Sequence, residues 1–219
     1  MTYGFFWSEK SESRNQLTAR YEPIQALLLF EFAARAGATA FVDVGANVGF
    51  YSLVMSLLPA IGKIEAFEGS AEACGEIRKN IAMNDLGGRI GCTNTVVSVE
   101  APLSGINGVA ATSIHDRHLF KEVRDVECRA LDDLVDVAGR PLAIKIDVEG
   151  HELGVLEGAR RLLAGSRAVV QVEAVGTNRN PVTALLEGLG YRRLFAAGND
   201  LYFSNDDALA APSAVIEGV

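Results

Sequence analysis

The chain has few cysteines and few prolines, and it lacks a long hydrophobic run. Its three cysteines, Cys74, Cys92 and Cys128, are too few and too far apart for a disulfide scaffold. The first residues show neither the charged start nor the apolar core of a signal peptide. No apolar stretch is long enough to span a bilayer. We therefore expect a protein with reduced thiols, located in the cytoplasm and without a membrane partner.

A strongly basic surface is also missing. Twenty Lys and Arg stand against 28 Asp and Glu, which gives a net charge of −8, and no polybasic run interrupts this balance. A nucleic-acid partner is therefore not expected, and a small-molecule partner is. At 219 residues, 49% hydrophobic, the chain has the size and composition of one globular domain. We predict a cover segment over residues 1–38, a core over 39–205 and a tail over 206–219, and leave the oligomeric state open.

Short apolar runs alternate with segments of helical spacing along most of the chain. Strands are predicted at residues 40–44, 63–68, 89–98, 142–147 and 168–175, and helices at 23–37, 51–58, 71–84, 152–163 and 182–189. Residues 191–196 and 200–204 resemble a closing hairpin. Between residues 99 and 131 the period is lost, apart from one extra strand near Cys128, and a short helical piece is predicted at 134–138. The alternation is typical of an α/β protein with a doubly wound, mostly parallel sheet.

The turn after the first predicted strand carries the strongest local signal. It reads DVGANVG from Asp43 to Gly49, so it does not meet the G-x-G-x-x-G pattern of dinucleotide-binding proteins. A carboxylate at Asp43 would oppose a pyrophosphate but would suit the cationic amino-acid part of S-adenosylmethionine. Glu68, at the end of the second strand, can accept both hydroxyls of a ribose. The structural alternative is that Asp43 caps the turn and that Glu68 is solvated.

Charged residues also gather where the fourth strand ends. Lys145 and Asp147 share one face of this strand, and Glu149 and His151 follow them. Glu173, at the end of the fifth strand, is expected to face the same crevice. These residues are candidates to bind a methyl acceptor or to take its proton, with Glu173 on the substrate side. A plain Lys145–Asp147 salt bridge is the alternative, and a magnesium ion held by the carboxylates is a less favoured one.

Several segments resemble the FkbM-type family of S-adenosylmethionine-dependent methyltransferases. They are FVDVGANVGFYS, IEAFEGSAEACGEIRKNIAMND, RALDDLV, IKIDVEGHELGVLEGARRLL and VVQVEAV, in order from residue 41 to residue 175. The resemblance implies a class I methyltransferase fold, with seven strands of which one is antiparallel. It also implies that the methionine part of the cofactor lies at Asp43, Gly45, Asn47 and Gly49. Glu68 would then hold the ribose and Ser98 the adenine. The chain departs from the family at Gly69, where a proline is usual.

From these residues we expect a methyltransferase that acts on a hydroxyl group of a small molecule, of the sugar or secondary-metabolite type. An N-methyltransferase, or a protein that binds the cofactor without catalysis, is the alternative. A dehydrogenase fits less well because of the glycine spacing and Asp43. The HxxH pair His115 and His118 lacks further zinc ligands, so that segment is interpreted as a loop or lid rather than a metal site. Phe5, Phe6 and Trp7 are expected to pack on the core, and the alternative is that they line the acceptor pocket as a cover.

Overall fold

A computed structural model describes residues 24–99, 126–137 and 139–209 of the chain. The aromatic start, the histidine pair at 115 and 118 and the end of the chain from residue 210 lie outside the described residues. The strands are β1 (Ala40–Val44), β2 (Lys63–Glu68), β3 (Ile90–Asn94), β4 (Val96–Val97), β5 (Cys128–Arg129), β6 (Leu142–Ile146), β7 (Ala168–Glu173), β8 (Arg192–Ala197) and β9 (Asp200–Ser204). The helices are α1 (Gln25–Arg35), α2 (Phe50–Ser56), α3 (Ala71–Met83), α4 (Glu152–Glu157), α5 (Arg160–Gly165) and α6 (Arg179–Gly188).

Seven strands form the main sheet, in the order β3-β2-β1-β6-β7-β9-β8. The pairs from β3 to β7 are parallel, and β9 is antiparallel to both of its neighbours. This arrangement confirms the predicted doubly wound sheet and its C-terminal hairpin. The order of the strands in the sheet reverses between the parallel neighbours β1 and β6, so both strands end at the crevice where ligands bind in this architecture.

The sheet is covered on both faces, which explains why its central strands are apolar throughout. One hydrophobic cluster contains Val42, Ile144 and Val170 with residues of α4, α5 and α6. The other contains Phe41 and Ala143 with residues of α1 and α2. Neighbouring residues of a strand point to opposite faces. The face that carries Phe41 and Ala143 therefore also carries the residues two positions further along β1 and β6, which are charged.

The third predicted strand is wrong in its extent. After β3, Thr95 leaves the main sheet, and β4 pairs in parallel with β5 to form a separate two-stranded sheet. The Thr95 hydroxyl donates to the carbonyl of Glu127 over 2.7 Å, which ties the two segments together. The extra strand predicted near Cys128 is confirmed as β5. The helical piece predicted at 134–138 is also misplaced, since the structure has a 3₁₀ turn just before it, at Leu131–Asp133.

The predicted helix over 152–163 consists of two helices, α4 and α5. Gly158 separates them and lies so close to Ala130 that an added Cβ would be 3.3 Å from the Ala130 Cα. The carboxylate of Asp132 then accepts hydrogen bonds from the backbone N–H groups of Arg161 and Leu162, over 2.9 and 2.8 Å. These N–H groups have no partner within their own helix, so Asp132 stabilises the start of α5.

Candidate functional site

The turn between β1 and α2 has a backbone that most residues adopt only under strain. Gly45, Asn47 and Gly49 all have positive φ angles, of 76°, 50° and 86°. A Cβ at Gly45 would overlap the backbone carbonyl oxygen of Asp147, which itself follows β6. Only glycine fits this contact. The predicted cofactor turn and the predicted acceptor-side loop therefore touch each other through their backbones.

Asp43 lies beneath this turn and has no exposed surface. Its Oδ2 accepts hydrogen bonds from the backbone N–H and the hydroxyl of Ser52, over 3.0 and 2.7 Å. Its Oδ1 is buried without a hydrogen-bond partner. Burial raises the pKa of Asp43, and the charge of Lys145 and the bonds from Ser52 oppose that rise. The carboxylate thus fixes the first turn of α2 to β1 and retains one free acceptor atom.

Glu68 connects the turn to the loop that follows β2. Its Oε2 accepts a hydrogen bond from the backbone N–H of Asn47 over 2.8 Å, and its Oε1 accepts one from the N–H of Ser70 over 2.7 Å. Burial raises the pKa of Glu68 to about 7, and the charges of Asp43 and Asp147 contribute to the rise. Each carboxylate oxygen can accept a further hydrogen bond, so this arrangement leaves capacity for a ligand hydroxyl.

The acceptor-side candidates form a coupled group at the ends of β6 and β7. The ammonium of Lys145 lies 2.8 Å from the Oδ2 of Asp147, which confirms that the two side chains share a face and form an ion pair. Burial opposes ionisation of Asp147, but the charge of Lys145 and a hydrogen bond with Glu173 hold its pKa below the usual range. Burial and the neighbouring charge of Asp147 raise the pKa of Glu173 to about 8. At neutral pH one proton is therefore held between two carboxyl groups.

The remaining predicted site residues are placed less closely together. Glu149 is exposed, with a φ angle of 52°, and its negative charge contributes to the raised pKa of Glu173. His151 is exposed directly before α4 and does not cap that helix. Ser98 is buried between β4 and α4, where a Cβ added at Gly154 would lie 2.5 Å from its hydroxyl. Of the acceptor-side candidates, the structure brings Lys145, Asp147 and Glu173 into direct contact.

Three buried polar side chains were not predicted from the sequence. Gln171 on β7 has no exposed surface, and its amide donates to the hydroxyl of Tyr51 over 2.9 Å and to the carboxylate of Asp200 over 2.8 Å. The ring of Tyr51 in turn lies beneath the ammonium of Lys145, 4.4 Å from its centre. The sequence does contain one indication of Gln171, because this is the single polar residue before Glu173 in an apolar strand.

No group of three or more His, Cys, Asp or Glu side chains within the described residues is arranged to hold a metal ion. The magnesium alternative stays a prediction. Across the same three stretches, 24–99, 126–137 and 139–209, every helix is too short or too polar to cross a bilayer.

The family is decided by a match over residues 43–193 to the model of the methyltransferase FkbM domain. This match covers more than half of the chain. The chain belongs to the FkbM methyltransferase domain family. It therefore carries the domain of an S-adenosylmethionine-dependent methyltransferase, as the resemblance implied. A comparison with curated proteins found no match.

Solved structures with a similar fold include other methyltransferases. Methyltransferase FkbM from Methylobacillus flagellatus superimposes with a TM-score of 0.55 at 19% identity, over 76% of this chain and 44% of that one. This FkbM domain thus spans less than half the length of that relative. The precorrin-6y C5,15-methyltransferase of Geobacter metallireducens gives 0.52 at 16% identity, over 91% and 92% of the two chains. At these identities the likeness establishes the fold alone, and it confirms the predicted class I methyltransferase fold.

Membership of the FkbM family implies S-adenosylmethionine as the methyl donor. Two features of the site fit this ligand. The buried Oδ1 of Asp43 still lacks a hydrogen-bond partner beside the glycine-rich turn, and Glu68 has unused acceptor capacity at the end of β2. Asp43 and Glu68 are both carboxyl groups, which favours a ligand that carries positive charge.

Proposed function

We propose that the chain methylates a hydroxyl group of a small molecule with S-adenosylmethionine as the donor. The single observation that carries this proposal is the contact between two carboxyl groups, Asp147 and Glu173, at the ends of β6 and β7 beside the glycine-rich turn. Burial and the charge of Asp147 raise the pKa of Glu173 to about 8. Methylation of a hydroxyl requires removal of its proton, whereas a neutral amine reacts through its lone pair. A base with a pKa close to the working pH serves this need best.

Each residue of the pair has its own part in this chemistry. S-adenosylmethionine would supply an electrophilic methyl carbon, with its sulfonium sulfur as the leaving group in the form of a neutral thioether. Lys145 holds Asp147 ionised, so that Asp147 can accept a hydrogen bond from the acceptor hydroxyl. Glu173 shares the proton of the pair and lies on the acceptor side. Once the pair has lost its proton, near pH 8, it accepts the proton of the hydroxyl.

The cofactor-side assignments are part of the same proposal. Asp43 orders the turn through Ser52, and Gly45, Asn47 and Gly49 shape its surface toward the methionine part. Glu68 accepts the ribose hydroxyls in addition to the two backbone N–H groups that it already binds. Ser98 lies at the adenine end of the site. Asp43 and Glu68 are carboxyl groups and do not repel a positively charged sulfonium, which supports placing the cofactor beside them.

The test is a methylation assay with a panel of phenols, methyl glycosides and amines matched to them in size. Product identity is determined by mass spectrometry. Formation of a methyl ether supports the proposal. Methylation of the amines alone would overturn it in favour of an N-methyltransferase. Absence of any product, with S-adenosylhomocysteine still bound in calorimetry, would overturn it in favour of a binding protein without catalysis.

The pKa of Glu68 predicts a pH dependence of cofactor binding. Ribose hydroxyls donate to an ionised carboxylate, and burial raises the pKa of Glu68 to about 7. We therefore expect the affinity for S-adenosylhomocysteine to rise as the pH increases through 7. One pH unit below the pKa, about a tenth of the protein is ionised, so the affinity at pH 6 should be about tenfold lower than at high pH. Calorimetry between pH 6 and pH 8 measures this change.

The control for this prediction is the variant Glu68→Gln, which keeps the size of the side chain and removes its titration. Its affinity should be low and nearly constant over the same pH range. If Glu68→Gln retained the full pH dependence of the unmodified protein, the dependence would come from another group, and the assignment of Glu68 to the ribose would lose its support.

A further inference from the structure

A row of buried polar side chains crosses the centre of the sheet on the face covered by α2. Asp43 on β1 is in register with Lys145 on β6, and Lys145 is in register with Gln171 on β7. All three residues are at most 4% exposed. Burying polar groups in this way is costly unless each is bound. Specific contacts hold the row, although the Oδ1 of Asp43 and the Oε1 of Gln171 have no hydrogen-bond partner.

Helix α2 supplies those contacts from two neighbouring residues. Ser52 donates two hydrogen bonds to Asp43. Tyr51 places its ring 4.4 Å from the ammonium of Lys145, and its hydroxyl accepts a hydrogen bond from the amide of Gln171. A cation above the face of a tyrosine ring is attracted by the ring, and the attraction is stronger where water is excluded.

The position of the tyrosine ring is itself fixed. The amide of Gln171 binds the hydroxyl of Tyr51 and the carboxylate of Asp200 at the same time, over 2.9 and 2.8 Å. Tyr51 and Asp200 are 3% and 6% exposed, so water does not compete strongly for these bonds. A chain of contacts thus runs from β9 through β7 and α2 to Lys145. It ends at Asp147, whose Oδ2 lies 2.8 Å from the ammonium.

We propose that Tyr51 and Gln171 are positioning residues, which hold the ammonium of Lys145 in place so that it orients the carboxylate of Asp147 toward the methyl acceptor. Lysine has a long, flexible side chain, and its ammonium has no preferred direction of its own. The ring of Tyr51 supplies a fixed surface, and Gln171 keeps that ring in place. For catalysis, this inference rests on the proposed function of Asp147. The contact itself can be tested without turnover.

The first readout is the ammonium signal of Lys145 in nitrogen-15 NMR of the ligand-free protein. The chain has five lysines, so the signal can be assigned by its loss in Lys145→Gln. A buried, hydrogen-bonded ammonium exchanges slowly and gives an observable signal. We expect Tyr51→Leu to abolish this signal and Tyr51→Phe, which keeps the ring, to retain it. Gln171→Leu should broaden the signal. An unchanged signal in both Tyr51→Leu and Gln171→Leu would overturn the proposal.

The second readout is the kinetics of methyl transfer to the best acceptor of the panel described above. A misplacement of about 1 Å at a reacting group can cost about 100-fold in rate. We expect Tyr51→Leu to lower kcat by about 10- to 100-fold with KM unchanged, and Tyr51→Phe to restore most of the rate. If Tyr51→Leu does not fold, Gln171→Leu carries the test with the same direction of change. If NMR showed a displaced ammonium but kcat were the same in all variants, the proposed effect of this positioning on catalysis would be overturned.

Tyr191 provides a matched control. It is also buried, at 2% exposed, and its hydroxyl donates to the carbonyl of Leu163 over 2.9 Å in the hydrophobic cluster on the opposite face of the sheet. Tyr191→Leu should lower the free energy of unfolding but leave the ammonium signal and the kcat of the folded protein unchanged. If Tyr191→Leu also lost the ammonium signal and lowered kcat, a general loosening of the core would explain the effects of Tyr51→Leu. Absence of turnover in the unmodified protein would contradict the proposed function, while the NMR result would still decide the positioning.

Discussion

Asp147→Asn is expected to lower the rate of methyl transfer by about 10²- to 10⁴-fold, the usual range for loss of a positioned base. The amide has nearly the shape of the carboxylate but cannot accept a proton. It also removes the negative charge that contributes to the raised pKa of Glu173, so the remaining carboxyl group becomes a weaker base. The affinity for S-adenosylhomocysteine should stay the same. Single-turnover assays measure the rate, and calorimetry measures the binding.

The matched control for this change is Asp133→Asn. Asp133 also forms an ion pair, with Arg161 at 2.9 Å, but its side chain is 61% exposed and that of Arg161 is 74% exposed. Exposed pairs of this kind contribute little. Asp133→Asn should therefore leave both rate and binding unchanged. If Asp147→Asn retained full turnover, or lost cofactor binding together with turnover, the assignment of Asp147 to the acceptor side would be wrong.

The succession of strands and helices along the chain could be predicted from the sequence, because each central strand is a short apolar run followed by a helix with a different hydrophobic period. Where the prediction was wrong, a contact distant in sequence decided the structure. The third strand ends early because Thr95 binds Glu127, more than thirty residues away. The helix after β6 is interrupted because Asp132 caps a second helix at Arg161. Local periodicity contains no information on such partners.

In the site, too, some features could be predicted from the local sequence and others depend on contacts distant in sequence. Asp43, Glu68 and Asp147 could be chosen as candidates because carboxylates at strand ends are unusual among apolar residues, and because their positions resemble those of a known family. The role of Gln171 could not be predicted, because its importance depends on Tyr51 and Asp200, which approach it from different elements. Raised pKa values also depend on burial. In the sequence Glu68 is a carboxylate at the end of a predicted strand, and only packing gives its carboxyl group a pKa of about 7.

Gly45→Ala is expected to have the largest effect on both stability and cofactor binding. The φ angle of 76° disfavours alanine by about 1–2 kcal/mol, and the new methyl group would overlap the carbonyl oxygen of Asp147. That carbonyl belongs to backbone and cannot rotate away as a side chain would. Relief therefore requires β1 and the loop after β6 to separate, although Asp147 donates its N–H to Val44 over 3.0 Å. Denaturant unfolding measures the stability, and calorimetry with S-adenosylhomocysteine measures the binding.

Gly75→Ala is the control for Gly45→Ala. It shows the general effect of replacing a glycine by alanine without the contact to the carbonyl oxygen of Asp147. Gly75 lies within α3, and a Cβ there meets no atom within 4 Å. Alanine is favoured over glycine inside a helix by about 1 kcal/mol, so Gly75→Ala should stabilise the protein and leave cofactor binding unchanged. Gly45→Ala should instead lower both the stability of the protein and its affinity for S-adenosylhomocysteine. A Gly45→Ala protein with normal stability and normal binding would mean that the turn and the Asp147 loop can separate freely. The close backbone contact between the cofactor side and the acceptor side would then have no functional importance.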